Sequence, residues 1–169
     1  MATISISKRA VRGDDAKTRL ILAAETLFAK GSIEGVSLRE IAAVAGQRNH
    51  HAVQYHFGTR DALVQAVFDY RMDQMEPMRR EMLRAARQAG CLDDARTIMD
   101  IIFLPQLELI DAHGDHSYAN FLCQYLLRNS DTEFGRFGGH LPPHIDEALA
   151  LLRARLDFLS DEAAQRRLI

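Results

Sequence analysis

Residues 37–57 of the chain read SLREIAAVAGQRNHHAVQYHF, and this stretch decides the fold of the N-terminal region. Ser37 and Glu40 form the S-x-x-E pattern of a capping box, in which the hydroxyl and the carboxylate each accept an N–H group at a helix start. Gly46 is placed to end that helix in the left-handed conformation. The pattern therefore predicts a short, firmly capped helix followed by a sharp turn.

A second and more polar helix is predicted after this turn. Asn49 is a suitable N-cap for a helix over residues 50–56, whose apolar inward candidates are only Ala52, Val53 and Phe57. A helix so small must pack on its neighbours and present its other side chains to a polar surface. On these residues alone, a DNA-reading helix and an ordinary helical hairpin with a solvated face are both open interpretations.

The flanking segments favour a compact helical unit. The spacing of apolar residues predicts a helix over residues 15–30 that stops at Gly31. It also predicts a long amphipathic helix that Thr59 caps and that continues to Met75, with a kink or a break at Pro77. Three helices would then form one unit, and the fourth would leave it as a connector.

Charge is distributed unevenly along the chain, which has a formal net charge of −2. Residues 1–60 hold 9 Lys and Arg against 5 Asp and Glu and carry +4, whereas residues 61–169 hold 12 against 18 and carry −6. A basic front suits contact with phosphates, and an acidic rear stays off them. Residues 1–14 have no long apolar run, and we expect a flexible basic arm there. The basic residues of this arm are Lys8, Arg9 and Arg12. Two interpretations are open: they contact DNA, or they belong to a terminus without a function.

Three motifs within residues 18–70 resemble the N-terminal domain of the TetR-type family of one-component transcription regulators. They read AETLFAKG at residues 24–31, SLREIAAVAG at residues 37–46 and YHFGTRDAL at residues 55–63. Together the motifs are specific, whereas each alone would be weak. The stretch between the second and third motifs is one residue longer than in the commonest family form.

The resemblance implies an all-α fold with a three-helix helix-turn-helix DNA-binding domain over residues 15–60. A long helix joins it to a helical ligand-binding and dimerisation domain over residues 61–169, which looks cut short because a new helix begins at Ser160. The implied function is a repressor that binds a palindromic operator as a homodimer and is released by an unknown small-molecule effector. Because the usual dimer helices look incomplete, the apolar face of a predicted helix over residues 144–158 is the expected partner surface.

The family also implies roles for the polar residues of the helix pair. The residues implied to reach bases in the major groove are Arg48, Asn49, His50 and His51. Those implied to lie against the phosphate backbone are Gln54, His56 and Arg60. Arg39 can approach a phosphate or a base, and Tyr55 can do either or pack. Because Arg pairs with guanine and Asn or Gln with adenine through two hydrogen bonds, the strongest chemical candidates for base reading are Arg48, Asn49 and Gln54.

The C-terminal region is predicted to be a set of packed amphipathic helices. One begins at Asp93 or Asp94, bends at Pro105 and continues to a loop at residues 113–114, and the next covers residues 117–128. A pocket between such helices is the expected form of a small-molecule site. Its candidate residues, for which core packing is the alternative, are Met99, Phe103, Asn120, Cys123, Gln124 and Tyr125.

We expect neither a metal nor a cofactor. The histidines of the helix pair have no cysteine nearby, and capping, exposure or pocket lining is the expected role of His113, His116, His140 and His144. Two cysteines, Cys91 and Cys123, without an export signal or membrane anchor fit buried free thiols in the cytoplasm. No nucleophile elbow, phosphate-binding glycine loop, metal tetrad or carboxylate pair is found, so we expect no enzyme. The remaining alternative is a helical protein-binding module without DNA affinity.

Overall fold

The computed structural model describes residues 8–111, 113–129 and 141–156, with side chains from Asp15 onward. Within these ranges the regular elements are all α-helices, which confirms the predicted fold class. They form two units, of which one ends at Val67 and the other begins at Phe68, and the boundary falls inside the fourth helix. In chain order the helices are α1 (Lys8–Lys30), α2 (Leu38–Val44), α3 (Ala52–Phe57), α4 (Arg60–Ala89), α5 (Ala95–Leu107), α6 (Ser117–Arg128) and α7 (Pro143–Ala154).

The first unit consists of α1, α2, α3 and the start of α4. Helix α1 packs against α2, and α2 packs against α3. Apolar side chains recur at helical spacing on each helix and face one shared core. Each apolar face must be covered by another element to be kept from water. The almost fully buried members of this core include Leu20, Ala24, Phe28, Ile41, Val53, Leu63 and Val67.

Helix α1 begins at Lys8, and not at Asp15 as predicted, so part of the expected arm is helical. Alanine and arginine are good helix formers, and a single glycine at Gly13 costs only about 1 kcal/mol relative to alanine, which does not stop a helix. The side chains of Lys8, Arg9 and Arg12 lie outside the described residues, and their contacts with DNA stay predictions.

Helix α4 runs unbroken for 30 residues through Pro77, where the sequence predicts a kink or a break. Pro77 and Asp73, four residues earlier, are both exposed. The carbonyl group that loses its N–H partner at the proline can therefore bind water, and the helix continues. As predicted, the helix ends at Gly90, which has a φ of 67°.

The second unit contains the rest of α4 together with α5, α6 and α7. Helix α5 packs against both α6 and α7. Asp94 caps α5 by accepting the N–H of Thr97 at 2.8 Å, as predicted. The prediction that α5 continues to residue 113 is wrong, because the helix ends at Leu107 and the loop that follows is closed by Asp111. That carboxylate accepts backbone N–H groups within the loop and competes with helix formation.

Helix α7 does not present the free apolar face expected of it. Ala148, Leu149 and Leu152 are buried, because α7 packs on α5. Helix α7 ends at Ala154, so its predicted end near Phe158 is wrong. Residues 130–140 and the predicted helix from Ser160 lie outside the described residues. Large apolar side chains that are exposed in the second unit include Phe103, Leu104, Leu107, Ile110 and Leu127. Among the helices described, none is both long and apolar enough to span a membrane.

Candidate nucleic-acid interface

Helix α2 supports the interface and is bounded by the local signals seen in the sequence. The Ser37 hydroxyl accepts the N–H of Glu40 at 3.1 Å, which is the hydroxyl half of the predicted capping box. At the other end, Gly46 has a φ of 68°, and the N–H of Gln47 donates to the Ala42 carbonyl at 2.9 Å. This glycine-centred bond pattern ends the helix and reverses the chain. The start of α3 is therefore held close to the end of α2.

Helix α3 begins at Ala52, two residues later than predicted. The side-chain oxygen of Asn49 accepts the N–H of His51 at 2.9 Å, and the Asn49 carbonyl accepts the N–H of Ala52 at 3.0 Å. These bonds form a turn in front of the helix, because an asparagine side chain can imitate a backbone acceptor. The Asn49 side chain is thus held in the turn, and because an amide oxygen has two lone pairs its contact with a base stays a prediction.

The two faces of α3 differ sharply. Ala52 and Val53 are buried against the unit, whereas Tyr55 is 83 % exposed and Gln54 is also exposed. Tyr55 therefore does not pack in the core, and its ring meets the ring of His56 edge-on at 5.0 Å. The predicted contact residues that are exposed are Arg39, Arg48, Asn49, His50, His51, Gln54 and Tyr55, whereas His56 and Arg60 are half-buried. A small helix with this arrangement can bring donors and aromatic edges to a groove floor.

Arg60 makes structural contacts that the sequence did not predict. One of its terminal nitrogens, Nη1, donates to the carbonyl oxygens of Ile33 and Val36 at 2.7 and 2.6 Å. Both carbonyls belong to the turn between α1 and α2. Carbonyl oxygens in a turn lack the N–H donors that a continuing helix would supply, so they need other partners. The guanidinium therefore ties the start of α4 to the turn through Nη1, and its contact with a phosphate stays a prediction.

The turn between α3 and α4 is also closed by local bonds. Gly58 has a φ of 76°, and its N–H donates to the Gln54 carbonyl at 3.0 Å. The Thr59 hydroxyl accepts the N–H of Ala62 at 3.1 Å and caps α4, as predicted. In addition, the Lys17 ammonium on α1 lies 5.7 Å above the ring of Phe57. Together with Arg60, these contacts set the position of α3 within the unit.

The second unit contains a cavity of about 70 Å³. Of the six predicted pocket residues, only Phe103 lines it. Met99, Asn120 and Cys123 are exposed and Gln124 is half-buried, so the exposed Cys123 also departs from the expected burial. Tyr125 is buried and stacks on Phe68, with ring centroids 4.6 Å apart. The residues that line the cavity are Phe68, Met72, Arg79, Ile102, Phe103, Gln106, Leu122, Leu126, Leu141, Ile145 and Leu149.

The pocket prediction missed most of this lining because it used the wrong helical phase and omitted two helices. On α6, the inward positions are Phe121, Leu122 and Tyr125, and positions between them point outward. The contributions of α4 and α7 depend on packing that periodicity in α5 and α6 does not show. One signal was present in the sequence, namely that Arg79 interrupts an apolar series on α4 with helical spacing.

Metal-ligand geometry is absent from the ranges whose side chains are described. In those ranges, no three His, Cys, Asp or Glu side chains lie together as a metal site requires. His113 and His116 are exposed. His144 contacts the Glu76 carboxylate through Nδ1 at 2.7 Å, so it has a structural partner on α4.

Comparison with known proteins agrees with this geometry. Residues 20–67 match the family model described as "Bacterial regulatory proteins, tetR family". The matched range begins in α1 and ends in α4, so it contains the helix pair, its turn and the exposed face of α3. A comparison with curated proteins gives no match. Residues 20–67 thus form a DNA-binding domain of the TetR type, which is found in bacterial transcription regulators.

Proposed function

We propose that the protein is a cytoplasmic, ligand-responsive repressor that binds a palindromic operator as a homodimer and leaves it when a small molecule binds. One observation carries the proposal. Helix α4, which follows the exposed helix α3 after a two-residue turn, supplies Phe68, Met72 and Arg79 to the lining of the cavity. A ligand in the cavity therefore touches the same helix that begins beside the DNA-reading element.

The DNA contacts divide by chemistry. Arg48 and Gln54 are exposed and carry the two-pronged donor and acceptor groups that distinguish guanine and adenine. Arg39 is exposed on α2 and suits a phosphate contact, which fixes the register of the protein without reading a base. We assign base reading to Arg48 and Gln54, and positioning to Arg39.

Ligand response follows if the cavity has a different shape in the DNA-bound and ligand-bound states. A ligand shifts an equilibrium only through its differential affinity for the two states, and the coupling acts equally in both directions. Since three lining residues lie on α4, a displacement of this helix changes the cavity and moves Arg60 at its first turn. DNA should therefore weaken ligand binding by the same factor by which the ligand weakens DNA binding.

A homodimer is proposed because a single α3 of six residues reads only a short half-site. Two copies related by a two-fold axis would read two half-sites about one helical turn apart, or a multiple of that distance. The exposed apolar side chains on α5 support a partner surface in the second unit.

The decisive experiment is selection of bound sequences from random duplex DNA by the full chain. We expect an inverted repeat whose half-sites are separated by whole helical turns. A gel-shift titration over salt concentration then measures how many phosphates are neutralised. For each tenfold rise in salt concentration, the logarithm of the binding constant falls by about 0.9 per contacted phosphate. Enrichment of no sequence, together with a flat salt dependence, would instead favour a protein-binding module.

A further inference from the structure

The cavity of the second unit is lined mostly by apolar side chains, and one of its two polar lining residues is chemically unusual. Most of its lining consists of aliphatic side chains and the rings of Phe68 and Phe103. The polar side chains among the lining residues are Arg79 and Gln106. Arg79 is 0 % exposed. Arginine is almost never fully buried unless an anion pairs with it.

The described contacts of Arg79 include no anion. Its Nη1 donates to the Met72 sulfur at 3.6 Å, and its Nη2 donates to the Met75 sulfur at 3.5 Å. Thioether sulfurs are weak acceptors and carry no charge. Among the residues that the structure describes, the buried Nε–H has no hydrogen-bond partner. The guanidinium therefore lies at the cavity, and in the described part of the chain its N–H donors have only the two weak sulfur acceptors.

Glu76, an acidic group on the same helix that acts on Arg79 through its charge, is engaged through one of its two oxygens, whereas its buried Oε2 has no hydrogen-bond partner among the described residues. Glu76 uses Oε1 to accept the backbone N–H of His144 at 2.7 Å, and the same oxygen contacts Nδ1 of that histidine. This carboxylate thus caps the N-terminus of α7. Burial lowers the pKa of Arg79 and is the largest effect, whereas electrostatic interactions with Tyr118 and with Glu76 raise that pKa. A guanidinium nevertheless stays protonated in proteins, so the positive charge needs compensation.

We propose that the cavity binds an organic carboxylate, with the carboxylate on Arg79 and an apolar body against the aliphatic and aromatic lining. A carboxylate matches the fork of a guanidinium and can accept two parallel hydrogen bonds from it. The apolar lining matches a hydrocarbon chain or ring, and Phe103, which is 44 % exposed, lies where the cavity meets the surface. The inference rests on the proposed function in one respect, namely that this carboxylate acts as the effector.

The first test compares two probes that differ only in charge, octanoate and octan-1-ol, by calorimetric titration of the full chain. A charge-assisted hydrogen bond predicts that octanoate binds about 10- to 150-fold more tightly than the alcohol. Acetate, which has the charge but almost no apolar body, should bind more weakly than octanoate. Equal affinity for octanoate and octan-1-ol, or no binding of octanoate, overturns the proposal. Equal affinity for acetate and octanoate also overturns it, because it would indicate a nonspecific anion site.

The second test replaces the guanidinium. Arg79→Met removes the charge at similar volume and should reduce the preference for octanoate over octan-1-ol to about onefold. The matched control is Arg80→Met, the same change at the adjacent residue, which is exposed and should keep the wild-type preference. Removing a buried unpaired charge is neutral or stabilising, so Arg79→Met should melt no lower than the wild type without ligand. A preserved octanoate preference in Arg79→Met overturns the proposal.

Carboxylate binding at Arg79 and release from DNA can be tested separately. If octanoate binds through Arg79 and the affinity for the selected DNA is unchanged, the carboxylate site stands and the ligand-release mechanism is wrong. If DNA is released by neutral molecules but octanoate and the alcohol bind alike, the release mechanism stands and the carboxylate site is wrong. A gel shift with and without octanoate, combined with the titration, distinguishes these results.

Discussion

Replacing Arg60 by alanine distinguishes a structural tether from a phosphate contact. The substitution removes two hydrogen bonds of 2.7 and 2.6 Å to carbonyls of the turn between α1 and α2. A hydrogen bond to a charged group contributes about 1.5–3 kcal/mol, but Arg60 is half-buried and water can replace part of it. We therefore expect the first unit to lose about 1–2 kcal/mol of stability, which raises its open population about 5- to 30-fold.

Two readouts separate the roles of this residue. Hydrogen exchange of the α2 amides reports on the first unit alone. Circular dichroism, in contrast, would combine the signals of the helices in both units. The amides of residues 38–44 should exchange faster in Arg60→Ala in proportion to the lost stability. The second readout is the slope of log K against log salt for the selected DNA, which should equal that of the wild type.

Arg39→Ala is the matched control, because Arg39 is an exposed arginine on α2. It should leave amide exchange unchanged and make the salt slope shallower by about 0.9 per protomer, as the loss of one phosphate contact requires. The reasoning about Arg60 is wrong if its alanine variant behaves in the same way, with unchanged exchange and a shallower slope.

Three further substitutions test the interface and the second unit. Arg48→Ala should cost about 1–3 kcal/mol on the selected site and relax preference at one base pair, whereas an equal loss on all sequences would make Arg48 a phosphate contact. Gly46→Ala should lower the free energy of unfolding of the first unit by about 1–2 kcal/mol. The added Cβ would meet no described atom within 4 Å, so the cost comes from the φ of 68° alone. An unchanged midpoint of denaturant unfolding would contradict this prediction. Hydrogen bonds from Ser117 and from loop N–H groups lower the pKa of Asp111 from 3.8 to about 2, so its ionised form stabilises the loop above pH 3.8 and this contribution is lost as pH falls towards 2. The melting temperatures of wild type and Asp111→Asn should converge over that interval, and a constant difference down to pH 2 would refute the assignment.

The features that could be predicted from the sequence are those set by a few neighbouring residues. Ser37 and Thr59 cap helices because their hydroxyls reach N–H groups three residues ahead. Gly46 and Gly90 end helices because glycine adopts a positive φ without a steric penalty. Helix α6 has the bounds expected from its apolar spacing. Such signals act within one turn of helix, so no tertiary information was needed.

The features that could not be predicted depend either on a choice between two local hydrogen bonds or on partners distant in the sequence. Asn49 was expected to cap α3 directly, but its bond to the His51 N–H builds a turn first, and both outcomes use the same side-chain chemistry. The cavity lining requires the packing of α5 against α7, which periodicity on either helix alone does not specify. Periodicity identifies the apolar face of a helix, and it does not identify which other face covers it.

Two arginines of α4 show why residue type alone does not assign a role. Arg60 was expected to meet a phosphate, yet two carbonyls 24 and 27 positions earlier accept its hydrogen bonds. Arg79 drew no expectation, yet it is fully buried and its polar contacts are two sulfurs. A guanidinium whose donors are satisfied within the fold contributes to stability, whereas one that is buried with unused donors costs stability until an anion arrives. The two substitutions should therefore have opposite results: Arg60→Ala loses stability, whereas Arg79→Met does not.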